Sequence, residues 1–446
     1  MIKKIAYTLT LLTTSLTMAS AEPFQILKQI KDQLGQLHEG PYKDNYYVPS
    51  TLDTIQWGYL PNRDTKHLLT VPSGSYVTFD TISHEGLLED QGRNAAQYFK
   101  SKGVPEEQVL AEAQLITQSE LKHDFEKDGP HIVTGPVAIQ DAMPGDVLKV
   151  EILKIEPRVP YGVISNRHGK GALPNEFPKT PASKQPSPQQ PESYGNVSVF
   201  TSIEKNSKGQ YEGVIKTASG NAIRFPLKPF MGIMGVADDT SKPVHSVPPA
   251  HFGGNIDINE LGTGATVYFP VLVPGALFYT GDSHFVQGNG EVALTALEGS
   301  ARATFKFTLL KAGKDKVPSQ TLTQPLGETS QFWITPGLDP DLDEAMKKST
   351  REAIRFLNAE YGIDEALAYA YLSAATDFEV SQVVDKTKGI HAKIRKADFK
   401  EFTPRMPKPA AASLSAPSST RPTTSTPQKA NTQPQIIPLA PSEHTP

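Results

Sequence analysis

Asp282-x-His284 sets a carboxylate and an imidazole two positions apart. On an extended segment such residues project from one face, so both can converge on one cation or one water molecule. Alone, an Asp-x-His triplet is more often structural than functional, but the surrounding sequence is unusual. It runs Phe230-Met231-Gly232-Ile233-Met234-Gly235-Val236, Gly253-Gly254-Asn255-Ile256-Asp257, Gly275 to Gly281, Gln287-Gly288-Asn289-Gly290-Glu291, and then Glu298. Glycine serves where a backbone turns sharply or approaches a ligand closely, although a series of tight hairpins would use the same glycines. Asn255 and Asp257 alternate about Ile256 and are expected on one face. With Asp282 and His284 they offer two carboxylates, an amide and an imidazole, a set suited to a divalent ion, zinc ahead of calcium because of the imidazole. The chain has no cysteine, which excludes a thiolate site.

Together with Pro229, Ala237, Tyr268-Phe269-Pro270-Val271, Thr134-Gly135-Pro136-Val137 and Pro144-Gly145-Asp146-Val147-Leu148, these blocks resemble the acetamidase/formamidase family in order and spacing, from Asp53 to Phe399. The resemblance implies hydrolysis of small linear amides to a carboxylate and ammonia, on a mostly β scaffold with a bound divalent metal. The expected site has Asp282, His284 and His84 as metal ligands and Glu298, Glu291 and Asp257 in catalysis. Asn255, Gly253, Gly254 and His131 are expected beside the substrate. His131 precedes the Thr-Gly-Pro-Val block as in the family, where it reads as a support residue. Three departures stand out. His251 is displaced by one position from the His that some members place directly before Gly-Gly-Asn. Asn289 replaces a frequent Asp, and Gln56 and Gly58 flank Trp57 where many members show a His. His67 or His84 is the expected substitute for that missing ligand.

An unactivated amide needs a polarised carbonyl, a nucleophile, and an acid for the leaving nitrogen. A bound metal would supply the first two by holding water whose pKa falls to about 7, and a carboxylate such as Glu298 or Glu291 would shuttle the proton. A cysteine nucleophile is impossible, and no Gly-x-Ser-x-Gly elbow is present. A Ser-Lys pair stays open. So do a lactam or larger amide as substrate, and a non-catalytic exported binding protein that keeps the fold.

The elements that must position these residues read as mainly β and sandwich-like, with helical insertions and C-terminal helices packed on the sheets. Leu68 to Val71 and Tyr76 to Asp80, with Pro72-Ser73-Gly74 between, are expected as a hairpin that delivers His84 and Glu85. Residues 131 to 138 and 146 to 152 are expected as neighbouring strands joined through Pro144-Gly145. Asn94 to Lys102 and Pro105 to Leu121 form a helical insertion. Ser165 to Gly171 reads as a loop whose charges are solvated or, alternatively, as the lining of a pocket mouth, and Pro178 to Pro191 as an exposed excursion. Arg302 to Leu310 alternates as a strand. Helices follow over Asp341 to Leu357 and Asp364 to Ala374, the second with Ala366, Leu367, Ala370, Tyr371 and Ala374 on its apolar side.

Residues 1–21 carry Lys3 and Lys4, an apolar run to Met18 and Ala19-Ser20-Ala21, the pattern of a signal peptide. Its removal would shift the formal net charge from −4 to −6, which gives no electrostatic reason to bind nucleic acid. Residues 22–52 are expected as a helical arm, with Glu22 to Leu37 amphipathic, and 53–403 as the catalytic domain. Residues 404–446, with ten prolines, are expected as a disordered tail. No later stretch is long and apolar enough to span a membrane. The product is expected to be periplasmic or secreted, and a homo-oligomer is possible.

Overall fold

Alternating apolar residues give this chain two large sheets that share one core. The computed structural model describes residues 35–37, 45–319 and 322–404. One sheet has ten strands in the order Gly35–Leu37, Asn45–Val48, Tyr76–Asp80, Ala301–Leu310, Val147–Pro157, Thr266–Pro270, Leu326–Glu328, Phe332–Asp339, Lys388–Arg395, Asp377–Gln382. Its pairs are antiparallel except Asn45–Val48 with Tyr76–Asp80. The second sheet has eleven strands, and Phe278–Val286 lies at its centre. That strand pairs with Phe230–Gly235, Ile132–Ile139 and Leu297–Glu298.

Inward-facing aromatic rings join the sheets. Phe278 of the second sheet meets Phe79, Phe305 and Phe307 of the first at ring-centroid distances of 5.8, 5.4 and 4.9 Å. The alternation that marks each strand thus becomes a sandwich core.

Two strand pairings differ from expectation. Leu69–Val71 pairs in parallel with Ile132–Ile139 in the second sheet, whereas Tyr76–Asp80 pairs with Ala301–Leu310 in the first. The four residues between them form an arch from sheet to sheet instead of a hairpin turn. Likewise Ile132–Ile139 and Val147–Pro157 lie in different sheets. Every residue of Ile132–Ile139 is buried, while Val147–Pro157 alternates between buried and partly exposed positions, so the two strands occupy different environments. Local pattern marks a strand but does not choose its partner.

The helical insertion is also broken. Helix α1 spans Ala95–Ser101, with the Asn94 side chain accepting from the Gln97 N–H as its N-cap. Pro105 precedes a short 3₁₀ turn, Glu106–Gln108, and helix α2 begins only at Ala111, ending at Gln118. Val109 and Leu110 between them are extended and buried, so burial of two large side chains overrides helical continuity.

Helix α3, Leu342–Tyr361, is capped by Asp341, and helix α4, Glu365–Ala375, by Asp364. They pack with Trp333, Ala392 and Ile394 into a second core. Helix α4 is turned from its expected orientation: Ala368 and Leu372 are buried, whereas Ala366, Leu367, Ala370 and Ala374 are exposed. Alanine on both faces leaves its apolar periodicity too weak to fix rotation. Gly35–Leu37 is a strand paired with Asn45–Tyr47, not the end of a helix. The rest of the expected arm helix, the signal peptide and most of the tail lie outside the described residues.

Candidate active site

The central strand Phe278–Val286 carries both Asp282 and His284 into the interior. His284 lies across from Phe230 on one side and Glu298 on the other. Its ring packs edge-on against Phe230 at 4.9 Å, which fixes its plane. Asp282, Asp257 and Glu291 have positive φ angles of 50°, 47° and 46°. Non-glycine residues rarely hold that conformation, and its clustering here identifies a site where surrounding structure enforces geometry. Gly232 explains one glycine of the sequence block. A Cβ there would lie 2.6 Å from Asp257 Oδ1 and 2.8 Å from Asp282 Oδ2, so only glycine lets these carboxylates approach the strand.

Hydrogen bonding fixes the state of the His284 ring. The Gln287 amide NH₂ donates to the carbonyls of Asp257 and Ser381, which leaves Gln287 Oε1 as an acceptor 2.9 Å from His284 Nδ1. His284 Nδ1 therefore carries the hydrogen, and in the neutral ring Nε2 carries the lone pair. That atom lies 3.2 Å from Asp282 Oδ2 and 3.2 Å from Glu298 Oε1. A lone pair facing two carboxylate oxygens is repulsive unless a proton or a metal cation sits among them. Burial alone would lower the His284 pKa, but Asp282 and Asp257 more than reverse this and raise it.

Asp282 is the hub. Its Oδ1 is 3.7 Å from His84 Nδ1, and its Oδ2 is 3.8 Å from His131 Nε2. These imidazoles meet edge to face at 5.4 Å. Against the effect of burial, His131 and His284 hold the Asp282 carboxyl well below the usual carboxylate range. His131 itself is lowered to about 4, chiefly by burial, and its Nδ1 lies 3.0 Å from Ser246 Oγ. A neutral imidazole of this kind is a ligand rather than a cation.

Asp257, Glu291, Glu298 and Asp385 surround this hub, and all four carboxyls are pushed well above their ordinary range by burial. Their mutual repulsion and that of Asp282 adds to the effect at Asp257, Glu291 and Glu298. Within hydrogen-bonding geometry, His84 Nε2, both Asp257 oxygens, Asp282 Oδ1 and Glu298 Oε2 have no partner, although all are buried. Ligand atoms of His84, His131 and Asp282 lie within 4.8 Å of one another, as do those of Asp257, Asp282 and His284, and of His284, Glu291 and Glu298. Oxygen and imidazole donors without partners fit a divalent ion, and the mixed donor set keeps zinc and calcium both in play.

A cavity of about 610 Å³ reaches this centre. His84, His131, Asn255, Asp282, Glu291 and Glu298 line it, whereas Asp257 and His284 stand behind the wall. Gly253 and Gly254 are placed elsewhere: both are in the strand paired with Ile233–Gly235, packed near Phe269, Leu60 and Phe252. His251 is half exposed and 3.3 Å from Asp238 Oδ1, away from the cavity, and His67 is exposed. Of the two expected substitutes for the missing ligand, only His84 reaches the centre.

Sequence reasoning misplaced Arg167 and did not find Asp385. Arg167, expected in a solvated loop, is buried, with Nε 2.7 Å from Asp90 Oδ2 and Nη2 3.1 Å from Glu85 Oε1. Arg167, backed by Ser165 and His84, overcomes burial and lowers the Glu85 carboxyl to about 2. The charged Glu85 lies 3.3 Å from His84 Nε2, behind the ring edge that faces Asp282. Asp385 joins Asp257 and Glu291 within 4.8 Å. It follows two valines with no flanking glycine, so nothing local sets it apart.

Two face-packed sheets and a buried carboxylate–imidazole centre at the end of a cavity define a β-sandwich protein with a polar, ionisable interior site. The model of the Acetamidase/Formamidase family matches residues 113–244 and 240–394, and the chain belongs to that family. Similar proteins include a formamidase of Methylophilus methylotrophus, 28% identical over 225 residues, which are 42% of this chain and 53% of that protein. An acetamidase of Mycolicibacterium smegmatis is 26% identical over 227 residues, 42% of this chain and 55% of that protein. The matched stretch thus spans about half the length of these relatives. Among solved structures, an acetamidase from Bacillus halodurans superposes with a TM-score of 0.59 at 22% identity, covering 80% of this chain and 99% of that one. An acetamidase from Yersinia enterocolitica gives 0.60 at 22% identity, covering 82% and 97%. At these identities the likeness is one of fold.

Proposed function

We propose that this protein hydrolyses the carbon–nitrogen bond of a linear amide, releasing a carboxylate and ammonia, with water activated at the Asp282 centre. The observation that carries this reading is His284 Nε2 within 3.2 Å of both Asp282 Oδ2 and Glu298 Oε1, among buried oxygens that lack partners. Asp282, His84, His131 and His284 would hold a divalent metal, zinc ahead of calcium, with Asp257 as a further oxygen donor. Such an ion would polarise the carbonyl and bring the pKa of water to about 7.

The chain's own groups supply the rest. Asn255 lines the cavity with its Oδ1 buried and unpartnered, so it can accept an N–H of the substrate amide and orient the leaving nitrogen. Glu298 lines the same wall with Oε2 free, placed to take a proton from water and return it to that nitrogen. Glu85, charged through Arg167, sets the His84 ring from behind.

Metal analysis of the purified protein, with ammonia release from formamide and acetamide, tests the reading. A stoichiometric divalent metal and metal-dependent ammonia release are expected. Bound metal with no ammonia from any amide would favour the exported binding protein. The basic and apolar N-terminal pattern supports export, and N-terminal sequencing of protein recovered outside the cytoplasm should begin near Glu22. No helix among the described residues is long and apolar enough to cross a membrane.

A further inference from the structure

The cavity is much larger than a one- or two-carbon amide requires. At about 610 Å³ it falls in the range, roughly 300–1,000 Å³, that encloses ligands of many more atoms. The wall also carries both signs. Besides the carboxylate centre it carries Lys170, Lys386 and Lys388, with Lys386 directly following Asp385 of that centre.

None of these three lysines makes an ion pair among the described residues, although many other cations of the protein do. Lys170 and Lys386 are close enough to interact: loss of hydration and then Arg167 lower the Lys170 ammonium, Asp90 and Glu126 oppose this, and Lys386 adds a smaller repulsion. His168 lines the same region, with its Nε2 buried and without a partner. Carboxylates also line this part of the wall. Asp128 is occupied, since its Oδ1 accepts from the Tyr59 hydroxyl at 2.7 Å and its Oδ2 from the Asp124 N–H at 2.8 Å. That leaves Glu126, and Asp385 beside Lys386, against three ammonium groups. Lys170 and Lys386 are exposed and Lys388 half-buried, so their ammonium groups stay accessible to solvent and open to an anionic ligand that enters the cavity.

We propose that the substrate is an amide carrying a carboxylate at its far end, such as the monoamide of a dicarboxylic acid, with Lys170, Lys386 and Lys388 holding that carboxylate while the amide meets Asp282. The proposal rests on the hydrolase reading above. Water adds to the carbonyl carbon, the carbon–nitrogen bond breaks, and the nitrogen leaves as ammonia after taking a proton. The product is a dicarboxylate, which the same lysines retain as a competitive inhibitor.

The test measures ammonia release by the metal-loaded full chain from malonamate, succinamate, glutaramate and adipamate against neutral amides of matched length. One anionic amide is expected to exceed its neutral counterpart at least tenfold in kcat/KM. That ratio should fall at least tenfold in a Lys170→Ala, Lys386→Ala, Lys388→Ala variant whose thermal unfolding matches the parent, and should decline with added salt. Hydrolysis of neutral amides without an anionic preference, or a preference the lysine variant retains, overturns this proposal and leaves the hydrolase reading intact. If no amide releases ammonia, the hydrolase reading falls and the amide substrate with it. Calorimetric titration with succinate then reads the anion site alone: lysine-dependent binding supports it, and no binding overturns it too.

Discussion

Two of the buried charged clusters in this sandwich are built on opposite plans. Around Asp80, each anion has a cation. Arg302 Nε is 2.7 Å from Asp80 Oδ1, Arg158 Nη2 is 3.4 Å from Oδ2, and the Tyr47 hydroxyl donates to Oδ2 at 2.6 Å. Arg158 also binds Glu112 at 2.5 Å. Burial would raise the Asp80 carboxyl, but the two guanidinium groups reverse this and lower it. Around Asp282, by contrast, Asp257, Glu291, Glu298 and Asp385 cluster with imidazoles and one another, and none of the four makes an ion pair with a lysine or arginine among the described residues. Arg167 offers no relief there, because Glu85 and Asp90 consume it. The first cluster is complete as folded, whereas the second is complete only with something cationic added. Burial alone therefore does not distinguish structure from function; the balance of charge does.

Asp282→Asn should break the second cluster most severely. It removes the carboxylate that two ligand groups share, and amide hydrolysis is expected to fall on the order of a thousandfold, with metal content falling in parallel. Retained activity with retained metal would remove Asp282 from the centre.

In the Asp80 cluster, Asp80→Asn leaves Arg158 and Arg302 short of a counter-charge and should destabilise the fold by about 3 kcal/mol, read by denaturant unfolding. Its charge dependence has a definite sign. The lowered carboxyl contributes stability above the ordinary Asp value of about 4, and this is lost as pH falls through the lower folded value.

The opposite sign is expected at the Asp282 centre. Asp257→Asn should stabilise the chelator-treated protein by about 1 kcal/mol while weakening the metal-loaded one. Raised carboxyls contribute stability at low pH and lose it as pH rises through their folded values. Unfolding of chelated protein should therefore become easier from about pH 4 upward, and added zinc should cancel the trend. An identical profile with and without chelator would erase the contrast between the clusters. The smallest effect belongs to His251→Ala, which should leave ammonia release within about twofold because the ring pairs with Asp238 outside the cavity.

Much of the second cluster was legible in sequence, and much of its setting was not. Asp282 and His284 were readable because a strand repeats every two residues, whereas the glycine-dense stretch signalled close approach without saying that Gly232 is where Asp257 and Asp282 come near. Asp257, Glu291 and Glu298 lay in the same glycine-bordered stretch. Asp385 was invisible because it reaches the centre from the far end of the chain, through pairing of Gly290 with Gln382 that no local pattern encodes. Arg167 was misread because a polar, glycine-flanked segment looks solvated until its partners Glu85 and Asp90 are known. The strands themselves were found, but the arch at Pro72 and the separation of Ile132–Ile139 from Val147–Pro157 depend on long-range partners. Helix α4 was found and its rotation missed, since alanines around its circumference give no strong preference.

The centre draws its members from His84 to Asp385, so nearly the whole described chain must be in place before it exists. Contacts that distant in sequence form late and slowly during folding. An ion bound there would have nowhere to settle in a partly made or clipped molecule, and its capture would report that assembly has finished.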